Sequence, residues 1–118
     1  MSERTIRNEP VVRISQGFFE PTLLLSVSTR LEEGRETLEP VLTALRGLRH
    51  YHVAVDATSS SMINVSVWES LEAAKQMDTL PEMLAQRDTF VALGVNLASV
   101  ASTTAARDLC PSGKRLWQ

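Results

Sequence analysis

One cysteine, Cys110, is all that the 118-residue chain contains, so no disulfide can form within it and the fold must rest on buried apolar surface. A chain of this length buries roughly two thirds of its unfolded surface and needs no metal or crosslink to fold. In DLCPSG only Asp108 accompanies Cys110, so the thiol is read as incidental rather than as a nucleophile. An excess of basic charge is missing too. Twelve Lys and Arg stand against 14 Asp and Glu, a formal net charge of −2, and the basic residues are scattered. The terminal GKRLWQ is too short for a phosphate-binding strip, so no nucleic acid is expected as a partner. No apolar run approaches the roughly 20 residues of a membrane span. MSERTIRNEP at the start carries charge with no apolar segment behind it, unlike a secretory signal. The expectation is a cytoplasmic protein without membrane contact. A glycine-rich phosphate loop and a G-x-S-x-G elbow are both absent, which argues against nucleotide-dependent and serine-hydrolase chemistry.

Hydrophobic periodicity divides what remains into a flexible lead-in (1–9), a folded unit (10–104) and a C-terminal tail (105–118). VVRISQGFF alternates as a strand closing near Gly17. Leu24, Val27, Leu31, Leu38, Leu42 and Leu45 then recur at helical spacing, with Pro21 at an early helical position, Pro40 expected to kink the helix and Gly47 to stop it. YHVAVD and MINVSVWES read as two strands around TSSS. Ser70 is placed to cap a helix; Thr79 and Glu82 have capping-box spacing for a second piece that ends at Gly94. VNLASVASTTA supplies a last short strand. The order β-α-β-β-α-β is the ferredoxin-like α+β plan, a four-stranded antiparallel sheet with the helices on one face.

In MINVSVWES, Ile63, Val65 and Val67 form one row and Met62, Asn64, Ser66 and Trp68 the other. The first row is expected beneath the helices. The second, with Val11, Arg13, Ser15, His52 and Asp56, is then expected on the bare face. Aromatic residues are only 5 % of the chain, so a tryptophan there needs an explanation. Two copies placed sheet to sheet would cover it and enclose a partly polar chamber, which predicts a homodimer.

SVWESLEAAKQM, placed after GLRHYHVAVD, resembles the antibiotic-biosynthesis-monooxygenase domain of the dimeric α/β barrel superfamily, over about residues 10–102. The resemblance implies a cofactor-independent monooxygenase that oxidises a polycyclic phenol or hydroquinone-type small aromatic molecule with O2. The alternative of the same fold is a non-catalytic dimeric small-ligand-binding or stress-response protein; a third reading is an isomerase or cyclase with His52 as base. By resemblance Asn64 and Trp68 line the cavity, Asn64 donating an N–H to an oxyanion and Trp68 stacking on the ring. His52, whose charge changes near neutral pH, is the candidate proton acceptor. Arg13, Met62, Ser66, Met77, Met83, Arg87 and Phe90 are candidate substrate-binding residues. The same residues have plainer roles: Trp68 as a plug, Asn64 as a strand tie, His52 at an interface, the methionines and Phe90 as core, and Arg87 paired with Glu82 or Asp88. No cofactor is expected. The haem-degrading branch would want a histidine where this chain has Asp78, so haem is disfavoured, as is flavin. His50 and His52 share a strand face without a third metal ligand.

Overall fold

The computed structural model describes residues 9–105. The lead-in before Glu9, the tail after Ala105, Cys110 and GKRLWQ lie outside the described residues. The chain runs β1 (Val11–Phe18), a 3-10 turn (Pro21–Leu23), α1 (Leu24–Thr43), β2 (Leu48–Asp56), β3 (Ser61–Trp68), α2 (Leu71–Ala74), α3 (Gln76–Thr79), α4 (Pro81–Leu93), β4 (Asn96–Leu97) and β5 (Ala101–Thr104). The sheet order is β2-β3-β1-β4, with β5 also on β1, and every pairing is antiparallel. This is the expected ferredoxin-like α+β architecture.

Several local signals act as the sequence implies. Pro21 opens the 3-10 turn, where its missing N–H costs nothing. The Ser70 side chain accepts from the Ala73 N–H at 3.1 Å, a cap worth about 1 kcal/mol. Gly94 ends α4 at φ 116°, a left-handed conformation that glycine adopts without strain. Others differ. Helix α1 continues through Pro40 to Thr43, because the proline removes one bond in a long, packed helix and α1 holds Val27, Leu38 and Leu42 in the core. The Thr79–Glu82 box does not form: Leu80 occupies the cap position of α4, and Pro81 follows at the first turn. The last strand is split, since three residues (98–100) face only Ser15 and Gln16 across β1.

The largest departure concerns the two faces of the sheet. Trp68 and Ser66 are 0 % exposed, and Met62 and Arg13 are buried, all on the helix side. Trp68 packs with Val11, Leu38, Leu42, Ala74, Met77 and Met83. The β1 and β3 members of the row expected on the bare face therefore lie beneath the helices, while His52 and Asp56 on β2 stay on the opposite side. Val12, Ile14, Ile63, Val65 and Val67 form the opposite face, and none of them belongs to either buried cluster. Both rows of β3 are apolar enough to be buried, so alternation sets the period without saying which row meets the helices. Tyr51 and Val53 on β2 share the helix side.

Candidate functional site

Side-chain size along the helix-facing row creates the site. At one end of β3 the Trp68 ring fills the space below α2 and α3. At the other, Met62 packs with Phe19, Val27, Phe90 and Val95. Between these two clusters the sheet presents Ser15 and Asn64, which are too short to reach the helices. The clusters do not merge, and a pocket of about 60 Å³ remains, lined by Asn64, Tyr51, Ser15, Met83, Gln86 and Phe90 among others. Leu31, Leu38, Tyr51, Val53 and Gln86 separate it from, and also line, a neighbouring cleft of about 330 Å³ between α1 and β2. Gln86 on α4 faces both cavities, and the end of its side chain lies against Gly34 on α1.

The polar end of the pocket is a pair. The Asn64 Nδ2 donates to the Tyr51 hydroxyl at 3.0 Å. The Asn64 Oδ1 is buried and has no partner among the described residues. An unmatched buried carbonyl is costly, and native structures retain few of them. At the outer rim Arg35 bonds to Glu39 at 2.8 Å and to Glu32 at 3.2 Å, exposed pairs that hold the mouth more than they stabilise the fold. A larger hollow of about 630 Å³ runs along this charged side of α1, without a buried polar group to recognise a ligand.

Burial pushes the Tyr51 phenol above its ordinary value; the Asn64 hydrogen bond and the Arg13 charge act in the opposite sense, and Glu39 adds to the rise. A phenol held protonated in the folded state contributes stability that is complete below its unfolded value of about 10 and is lost as pH rises through the folded value. Tyr51 is the one tyrosine of the chain, so its ionisation can be read from absorbance. The folded protein is expected to titrate at higher pH than the urea-unfolded protein. Coincident midpoints would contradict a buried phenol.

The candidate residues from the sequence separate into four groups. Met62, Met83, Arg87 and Phe90 line the pocket with Asn64. Arg87 makes no ion pair with Glu82 or Asp88. Arg13 and Met77 instead line a hollow of about 220 Å³ beyond Met83, where Arg13 bonds to Asp78 at 3.0 Å. Ser66 accepts the Trp68 indole N–H at 2.9 Å, so that N–H is already engaged and Trp68 does not line the pocket. His52 is exposed on the other side of the sheet, paired with Val65 and stacked on His50 at 6.3 Å. Asn64, Trp68 and His52 are therefore not brought together. Among the described residues no group of three or more His, Cys, Asp or Glu could hold a metal ion, and no helix is long and apolar enough to cross a membrane. Ser15, Gln16, Tyr51 and Gln86 are polar lining residues that are not among the candidates from the sequence. The signal for Gln86 was its place in the stripe Met83, Gln86, Arg87, Phe90.

No family model and no curated protein matches the sequence. Solved structures do match. A candidate antibiotic biosynthesis monooxygenase from Deinococcus radiodurans is 16% identical at a TM-score of 0.66, over 87% of this chain and 99% of its own. Rv0793 from Mycobacterium tuberculosis is 20% identical at 0.60, over 87% and 99%. SnoaB, a cofactor-independent oxygenase from Streptomyces nogalater, is 17% identical at 0.56, over 88% and 99%. The chain has the fold of the antibiotic biosynthesis monooxygenase structures.

Proposed function

We propose that the protein is a cofactor-independent monooxygenase acting on a polycyclic phenol or hydroquinone-type molecule, with the substrate seated between helices and sheet. The observation that carries this reading is the Asn64–Tyr51 pair, with its unmatched Oδ1, in a pocket that Leu31, Leu38, Met62, Met83 and Phe90 also line. Pocket and cleft together suit one small flat ligand, at the low end of the usual volumes. The fold shared with SnoaB supports the same reaction class. In an anthrone, the ring methylene loses two hydrogens and gains one oxygen atom. O2 supplies that atom and leaves the other as water, so the substrate itself is the reductant and neither haem nor flavin is required. The protein contributes orientation, exclusion of water and a hydrogen bond to the ring oxygen.

We also infer a homodimer formed through the uncovered row Val12, Ile14, Ile63, Val65 and Val67. On this arrangement the second subunit covers the back of the sheet, and each cavity belongs to one chain. A non-catalytic ligand-binding protein is the second reading. It is favoured by the inner pocket's lining, which includes no carboxylate or imidazole to act as a base.

Oxygen uptake by metal-stripped, flavin-free protein supplied with an anthrone tests the proposal. A rate above the uncatalysed one is expected, with a fall of about tenfold or more in Asn64→Leu, as for loss of a buried hydrogen-bonding group. A rate at background would leave only the binding reading.

A further inference from the structure

We propose that the pocket takes its ligand as a protonated aromatic hydroxyl, closing a three-membered ring of hydrogen bonds with Asn64 and Tyr51. The direction of the observed bond sets the rest. Because the Asn64 amide N–H is given to the Tyr51 oxygen, the phenol O–H of Tyr51 remains free to donate, and the Asn64 Oδ1 remains free to accept. A ligand hydroxyl placed between them accepts from Tyr51 and donates to Oδ1. Each of the three groups then gives one hydrogen bond and receives one, an arrangement in which the bonds polarise one another. The buried carbonyl that the protein leaves unmatched is thereby satisfied.

An ionised ligand oxygen has no hydrogen to give. It would face Oδ1 lone pair to lone pair, and the ring would open. The amide turned the other way, with Tyr51 donating to Oδ1 and Nδ2 facing the ligand, would instead favour the phenolate. The two directions make opposite predictions about which protonation state binds. The role of Asn64 here is the reverse of the oxyanion donor implied by the family resemblance.

The inference uses the cavity of the proposed oxygenase, but it requires binding only and no turnover. 4-Nitrophenol is a suitable probe, since it ionises near neutrality and only its phenolate is yellow. Added protein is expected to bleach the yellow band near the midpoint. The apparent dissociation constant should rise about tenfold for each pH unit above the probe's own ionisation. 4-Nitroanisole, the methyl ether with no hydrogen to donate, should bind about tenfold more weakly at acid pH. In Asn64→Leu the bleaching and the preference over the ether should both disappear; retained 4-nitroanisole binding in that variant shows that the pocket is intact. Strengthening of the yellow band, equal affinity for the ether, or no binding of 4-nitrophenol would overturn the inference. Bleaching without anthrone-dependent oxygen uptake would sink the oxygenase reading and leave this one standing.

Discussion

Trp68→Ala is expected to lower the unfolding free energy by about 3–5 kcal/mol, a large part of the roughly 5–15 kcal/mol that holds a domain of this size. The indole is wholly buried among Val11, Leu38, Leu42, Ala74, Met77 and Met83, and it joins β1 and β3 to α1 and the short helices. Its removal opens a cavity that rigid neighbours cannot fill, and it deprives the fully buried Ser66 hydroxyl of the indole N–H. Trp68→Phe keeps most of the packing and loses mainly that bond, so a smaller cost of about 1–3 kcal/mol is expected. Urea unfolding measures both. A change under about 1 kcal/mol for the alanine variant would mean that the ring is not in the core.

Val65→Asp is expected to turn the proposed dimer into a monomer at micromolar concentration while leaving each subunit folded. Val65 lies at the centre of the uncovered face, flanked by Ile14 on β1 and His52 on β2. A carboxylate there tolerates water but not burial against an apolar sheet, where it would have no assured partner. Sedimentation of parent and variant, with circular dichroism as the check on folding, measures the effect. A parent that is already monomeric would remove the proposed interface.

The architecture was legible because strands and helices differ in hydrophobic period, and because Pro21, Ser70 and Gly94 punctuate the chain for identifiable steric and hydrogen-bonding reasons. The site was legible only in part. The row of Met62 and Asn64 on β3 and the stripe of Met83, Arg87 and Phe90 on α4 were legible from period 2 and the 3–4 spacing, and the structure brings the two to one pocket. The layer was not. Ile63, Val65 and Val67 are the more apolar row of β3, and that composition suits a face buried between subunits as well as one buried under helices. The cue lay in the short residues: Asn64 and Ser15, set between the large Trp68 and Met62, make room under the helices that a filled core would not leave. The same inversion put His52 beside Asn64, although the two strands present them to opposite sides. Tyr51 shares the helix side. Its hydroxyl matters because Asn64 is there as well.

The central claim is that each chain carries its own cavity between helices and sheet. Anthrone-dependent oxygen uptake by the Val65→Asp monomer tests it most directly. Uptake per chain close to that of the parent is the predicted result. A folded monomer that has lost the activity of an active parent would contradict the claim and place the chamber between the two sheets instead.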